Sequence, residues 1–343
     1  MFVTGCHRSG TSLLASLLRD LVASDACHPQ ADLEVKLENP LGFFETHRLV
    51  ASNDYLLRQC GCAWNRPPLI PPAWDREPLF HTLQPLRASL SSYALSRRWV
   101  DKDPRLCFTY PAYLHIFLKR VPLVIALREP LDVATSLYAR DGMPPDAGLA
   151  LWFLYNHHLA AALDSTDLLL PYARLLALGD SGIAATTYQL LAAFLERHCH
   201  ERPSTAQWQQ IIERRLLVDL NRAVFALPPR LAVNISPDLL RHCQHAAAAV
   251  QDSDQPLQAF QEAFQALPCS VLLSLQRHQL VPDAASGLEL QTALLKLNEA
   301  LDTSLASQAV LHQQLTALQR SISWRLTAPM RYLWKQVSRR APT

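Results

Sequence analysis

The sequence predicts an α/β fold, a three-layer sandwich in which helices flank a parallel sheet, followed by a helical C-terminal tail. The first observation is a short apolar run, Phe2–Thr4, that reaches Gly5 and is followed by a helix-periodic apolar segment. The second is the near-continuous apolar run Val121–Leu127, typical of a buried parallel strand, after which Pro130 suits the first turn of a helix. The third is a change of pattern after Pro282, where leucines recur at helical spacing.

The segment between the first strand and the first helix has the composition of an anion-binding loop. Gly5 and Gly10 bracket it, and each allows the positive φ angle and the close approach that a phosphate needs. Successive backbone N–H groups of such a loop point into a concavity, and the helix N-terminus adds roughly half a positive charge. The pattern is close to the nucleotide P-loop, G-x-x-x-x-G-K-[ST], but Thr11 stands in place of the lysine and the cation lies inside the loop, at Arg8.

The displaced cation restricts the ligand. A nucleoside triphosphatase without this lysine lacks the main positive charge that binds its β- and γ-phosphates. We therefore expect a P-loop-like site for a phosphate-bearing nucleotide whose transferred group is not a γ-phosphoryl. The alternative is a plain strand–helix turn that binds nothing.

A second candidate site follows the second predicted strand. Arg128 comes directly after Val121–Leu127, and Ser136 lies about two turns along the next helix. Open α/β sheets bind their ligands at the carboxyl ends of the strands. Because an arginine fork and a hydroxyl suit a terminal phosphate dianion, we expect a second phosphate here.

Together these segments resemble the sulfotransferases that use 3′-phosphoadenosine-5′-phosphosulfate (PAPS). The run that begins at Arg8, R-S-G-T-S, looks like that of the bacterial and tyrosylprotein members. Glu38–Glu45 resembles their N-P-x-G-[YF]-[WF]-E element, and Trp99–Leu106 is similar to their K-D-P element. The four motifs occur in family order over about the first 200 residues, which makes the signal fairly specific. One departure is Ala173, which stands where many members have the acidic residue of a Y-E-x-L element.

The resemblance implies how a donor would be bound. PAPS would be the co-substrate, and no metal is implied. Arg128 and Ser136 would bind its 3′-phosphate, and the first loop would bind its 5′-phosphosulfate. The loop residues assigned to the donor are Gly5, His7, Arg8, Ser9, Gly10, Thr11 and Ser12.

The resemblance also implies catalytic residues. Arg8 would stabilise the leaving phosphate, Lys102 the sulfuryl or bridging oxygens, and Glu45 would accept the proton of the acceptor hydroxyl. The aromatic neighbours Phe43 and Phe44 would raise the pKa of Glu45 toward working pH. Equally open is that Glu45 is only a carboxylate in the first turn of a helix. The reserve candidates for the base are His47, Asp101 and Asp103.

Composition bounds the class of protein. The chain has 343 residues, 49% of them hydrophobic, so it can bury a full core. Its net charge of +2 does not indicate a nucleic-acid-binding protein. No apolar run approaches the roughly 18 residues of a membrane span, and the chain begins directly in its first strand. We therefore expect a cytoplasmic protein with reduced cysteines, built from a sulfotransferase domain at 1–281 and a tail at 282–343.

The tail combines two patterns. Residues 288–320 have the leucine spacing of an amphipathic helix or short coiled coil, which indicates an oligomer or a complex. Beyond Asp302 basic residues alternate with Trp and Tyr and acidic residues are absent, which favours peripheral contact with an anionic inner membrane. The alternative is a tail that docks on its own domain or on a partner helix.

The expected acceptor follows from the tail alone. Ser323–Pro329 resembles tails of bacterial enzymes that build surface polysaccharides, so we expect a hydroxyl of such a carbohydrate or its lipid-linked precursor. Two other functions stay open. One is a P-loop kinase or nucleotide hydrolase, and the other is a non-catalytic nucleotide-binding scaffold.

Overall fold

The structure is a computed structural model that describes residues 1–22, 44–91, 93, 98–216 and 235–280. These residues all belong to one compact unit, Met1–Ser286. The expected tail at 282–343, with its leucine pattern and its basic segment, lies outside the described residues, as do residues 38–43 of the element that ends at Glu45.

The core of the fold is a parallel sheet with the strand order β2-β1-β3-β4. Its strands are β1 (Phe2–Thr4), β2 (Asp101–Lys102), β3 (Leu123–Leu127) and β4 (Leu168–Pro171). Each neighbouring pair is parallel, which confirms the α/β class expected from the sequence.

One strand lies later in the chain than expected. The sequence predicts a short strand at Arg98–Val100, whereas the structure forms β2 at Asp101–Lys102. The shift follows the register of β1, because the first residue of β1 pairs with Asp101. Lys102 is consequently the last residue of the strand rather than a residue beyond it.

Helices connect the strands and continue after them. In chain order they are α1 (Thr11–Leu21), α2 (His47–Gln59), α3 (Leu79–Thr82), α4 (Gln84–Ser89), α5 (Leu106–Phe117), α6 (Pro130–Asp141), α7 (Pro145–Ala160), α8 (Tyr172–Leu176), α9 (Ser181–Cys199), α10 (Thr205–Leu216), α11 (Pro237–Gln251), α12 (Pro256–Ala263) and α13 (Cys269–Arg277).

Both faces of the sheet are covered, because side chains of a strand alternate between the two faces. On one face, Val3, Val124 and Leu170 join a buried cluster with apolar residues of α1, α9 and α10. On the other face, the ring of Phe2 lies 5.3 Å from that of Tyr113 in α5. The arrangement is the expected three-layer sandwich.

Helix α7 is buried along nearly its whole length. A helix that is apolar on all sides must be enclosed, and here α5, α6, α11 and α13 pack around it. No helix in the described part of the chain combines the length and the apolarity needed to cross a membrane.

Burial of His158 in α7 predicts a loss of stability in acid. His158 is only 3% exposed, and its Nε2 lies 3.2 Å from the carbonyl oxygen of Leu69. Burial, with a smaller contribution from His157, lowers the pKa of His158 from 6.5 to about 3. The folded state thus binds a proton more weakly than the unfolded chain, so this stabilisation is complete above pH 6.5 and is lost as the pH falls toward 3.

We expect His158 to add a slope of about 1.4 kcal/mol per pH unit to the free energy of unfolding across that interval. Urea unfolding at a series of pH values measures it. His158→Asn should flatten the slope, whereas the exposed residue His245, replaced in the same way, controls for loss of an imidazole as such. Equal slopes for wild type and His158→Asn would contradict the prediction.

Candidate functional site

The loop between β1 and α1 has an unusual backbone. The φ angles of Gly5, Arg8 and Gly10 are +142°, +68° and +89°. A Cβ atom on Gly5 would lie 2.3 Å from the carbonyl oxygen of Ala126, and one on Gly10 would lie 2.2 Å from Cδ2 of Tyr172. The left-handed conformation of Arg8 costs about 1–3 kcal/mol, and strain of this kind clusters at ligand-binding loops.

The N-terminus of α1 has donors that its cap residue does not satisfy. Gly10 is the cap and makes no side-chain hydrogen bond, whereas the Thr46 hydroxyl caps α2. Within the described chain, the hydroxyl of Ser9 and Nε2 of His7 are buried without a hydrogen-bond partner. Because buried polar atoms nearly always find a partner, an anion bound at this loop would supply hydrogen bonds that these two groups lack.

The two expected phosphate-binding segments lie against each other. Nε of Arg8 donates to the hydroxyl of Ser136 over 2.7 Å, and Nη1 of Arg128 donates to the carbonyl of Arg8 over 3.3 Å. Arg128 also pairs with Asp132 at 3.3 Å and lies over the ring of Tyr172, 4.7 Å from its centroid. The guanidinium on Ser136 is therefore that of Arg8, not that of Arg128, because Ser136 on the second turn of α6 faces the loop directly.

His7 lies in an aromatic and cationic environment. Its ring is 4.8 Å from that of Trp64 and 5.6 Å from that of Tyr155. Burial holds the pKa of His7 well below its usual range, so the imidazole is neutral. Nearby cations lower that pKa further, in the order Arg105, Arg140, Lys102 and Arg8. This concentration of positive charge suits a multiply charged anion.

Glu45 and Lys102 form an ion pair at the carboxyl end of β2. The side chain of Lys102 is 2% exposed and that of Glu45 22% exposed. Burial raises the pKa of Glu45, and the ammonium of Lys102 opposes that rise. Glu45 also precedes Thr46, the cap residue of α2, so it is not a carboxylate of the first helical turn.

The reserve candidates for the base have different surroundings. Asp101 accepts hydrogen bonds from Thr46, from Tyr93 and from the amide of Lys102. Asp103 is fully buried between Asn53 and Arg105. Both carboxylates are buried and accept hydrogen bonds from neighbouring side chains, whereas His47 is exposed at the first residue of α2. Among the described residues, no three or more His, Cys, Asp or Glu side chains come together as a metal site.

Sequence reasoning assigned no role at the site to Tyr172 and Arg105. Tyr172 lies between Gly10 and Arg128, and Arg105 pairs with Asp54 at 2.7 Å while contributing charge near His7. The position of Tyr172 directly after the strand β4 is the signal that could have found it, since ligands lie at that edge.

Comparisons with known proteins add little. No family model matches the chain, and a search of curated proteins found no match. A solved structure, the sulfotransferase domain of the olefin synthase of Synechococcus PCC 7002, is 15% identical over 78% of this chain and 94% of that domain, with a TM-score of 0.33. An identity and a TM-score this low do not support a shared function or family. The α/β fold class is assigned from the parallel sheet of this chain.

Proposed function

We propose that this protein transfers a sulfuryl group from PAPS to an acceptor hydroxyl and releases adenosine 3′,5′-bisphosphate. The observation that carries the proposal is the contact of Arg8 with both Ser136 and Arg128 beside the N-terminus of α1. This contact joins the loop suited to a phosphosulfate and the segment suited to a terminal phosphate into one cationic surface.

Each group on this surface has a role in donor binding. The loop amides, the N-terminus of α1 and the buried Ser9 hydroxyl bind the 5′-phosphosulfate. Arg128 and Ser136 bind the 3′-phosphate. Although Ser136 accepts from Arg8, its own O–H remains able to donate to a phosphate oxygen. Tyr172 limits the movement of Arg128 through its ring.

The transfer needs one bond made and one broken. The acceptor oxygen attacks sulfur in line, and the bond between sulfur and the bridging phosphate oxygen breaks. Arg8 and the loop amides stabilise the charge that develops on the leaving phosphate. Glu45 accepts the acceptor proton and becomes neutral, so the ammonium of Lys102 loses its counter-ion as negative charge builds on the donor.

The proposed acceptor and cellular setting rest on the C-terminal segment of the chain. The preferred acceptor is a hydroxyl of a bacterial surface polysaccharide or its precursor, which the resemblance of Ser323–Pro329 supports. Peripheral membrane contact and association through residues 288–320 belong to the same proposal.

The donor site is tested by calorimetric titration with adenosine 3′,5′-bisphosphate and, separately, with ATP and magnesium. We expect tight bisphosphate binding that weakens about 10- to 100-fold in Arg128→Ala, because a charge-assisted contact to phosphate is lost. Arg202→Ala removes the same charge from an exposed pair with Glu196 and should leave the affinity unchanged. ATP binding as tight as bisphosphate binding, and indifferent to Arg128, would overturn the proposal in favour of a kinase or nucleotide hydrolase.

A further inference from the structure

We propose that Arg19 and Asp101 are positioning residues that hold the Glu45 carboxylate beside Lys102. The inference rests on the proposed sulfuryl transfer, in which Glu45 accepts a proton. Arg19 binds Phe44, the residue before Glu45, and Asp101 binds Thr46, the residue after it. Arg19 and Asp101 are themselves an ion pair.

Arg19 holds the residue before Glu45. In the last turn of α1, its Nη2 donates to the carbonyl of Phe44 over 3.1 Å and its Nε to the carbonyl of Val100 over 3.2 Å. The guanidinium also lies over the Phe44 ring, 5.4 Å from its centroid. These contacts retain Phe44 at a φ of +58°, a left-handed conformation that a large side chain adopts only when its surroundings impose it.

Asp101 holds the residue after Glu45. Its carboxylate accepts from the amide of Thr46 over 3.3 Å and from the Thr46 hydroxyl over 2.6 Å. Tyr93 donates to the same carboxylate, and the guanidinium of Arg19 lies 3.7 Å away. Asp101 is 1% exposed, so these hydrogen bonds lie in a poorly solvated interior. Breaking one of them there is costly, and Thr46 is therefore held in place.

The position of Glu45 follows from these two anchors. Asp101 and Lys102 are adjacent on β2, so the anchor of Thr46 and the partner of Glu45 are set by the same strand. The charged groups that act on Glu45 are Lys102, Asp103 and Arg105. Because Arg19 belongs to the helix that begins at the phosphate loop, one helix places both the donor loop and the proton acceptor.

The test reads the titration of Glu45 itself, by carbon-13 NMR of its side-chain carboxyl, assigned with Glu45→Gln. In wild type the midpoint should lie above 4.5, because burial raises the pKa of Glu45. In Arg19→Met the Phe44 anchor is lost, Glu45 gains solvent, and the midpoint should fall toward 4.5. Transfer from PAPS should slow about 10- to 100-fold, as for a misplaced catalytic group, with bisphosphate affinity unchanged.

Two variants control for stability. Arg120→Met also removes a half-buried arginine, one paired with Asp164 and Asp167, and should lower the unfolding temperature without moving the Glu45 midpoint. Arg19→Lys retains a donor for the Phe44 carbonyl and should restore part of the wild-type midpoint. If Arg19→Met does not fold, Thr46→Val breaks the hydroxyl bond to Asp101 and should move the midpoint in the same direction.

An unchanged Glu45 midpoint in a folded Arg19→Met, or an equal change in Arg120→Met, would overturn the inference. Failure of the proposed function is distinguishable from this, because wild type would then show no bisphosphate binding whatever the Glu45 titration.

Discussion

Replacing Lys102 with methionine is expected to slow sulfuryl transfer about a thousandfold. Losses of this size follow when a side chain that stabilises negative charge in the transition state is removed. Methionine retains the length and apolar stem of lysine and removes only the ammonium. Bisphosphate affinity should change little, since the donor phosphates are assigned to the loop and to Arg128. The measurement is the rate of bisphosphate formation from PAPS with a panel of hydroxyl acceptors.

The same variant has an electrostatic signature. Without Lys102, only the smaller effect of Arg105 opposes burial and the charge of Asp103, so the pKa of Glu45 should rise above its already raised value. The rate that remains should therefore need a higher pH than in wild type. Lys119→Met removes an exposed lysine and serves as the matched control. A wild-type rate in Lys102→Met would contradict the assignment of Lys102 to the reacting oxygens.

Gly5→Ala is expected to destabilise the fold by about 3–5 kcal/mol, the sum of left-handed strain and overpacking. The new Cβ would lie 2.3 Å from the carbonyl oxygen of Ala126. That atom belongs to the backbone of β3, where Ala126 is fully buried, so it has no rotamer that relieves the overlap. The loop must move instead, and bisphosphate binding should be lost with it.

Gly142→Ala separates the two contributions. Gly142 has a φ of +69°, but its Cβ would meet nothing within 4 Å, so only the backbone strain of about 1–2 kcal/mol is expected. Urea unfolding of both variants gives the stability difference, and calorimetry of any folded fraction gives the affinity. Equal losses in the two variants would show that the loop does not press against β3 as the structure has it.

Local sequence determined the parts of this protein that depend on neighbours in the chain. The run Phe2–Thr4 with its glycines specifies a strand, a loop and a helix, since each needs only nearby residues. Val121–Leu127 followed by Pro130 likewise placed Arg128 at the end of β3. The α/β class and the parallel sheet follow from such segments, because parallel strands require helical crossovers.

Only the tertiary structure decided which side chains meet. Glu45 contacts Lys102 because pairing with β1 sets the register of β2. The same pairing explains why the strand forms at Asp101–Lys102 and not at the predicted Arg98–Val100. Arg8 reaches Ser136, on a helix that follows another strand. These contacts join residues far apart in the chain, and no local preference encodes them. Strand register, the burial of Asp101 and the packing of Tyr172 on Gly10 set them, because each depends on atoms that come together only when the sheet has formed.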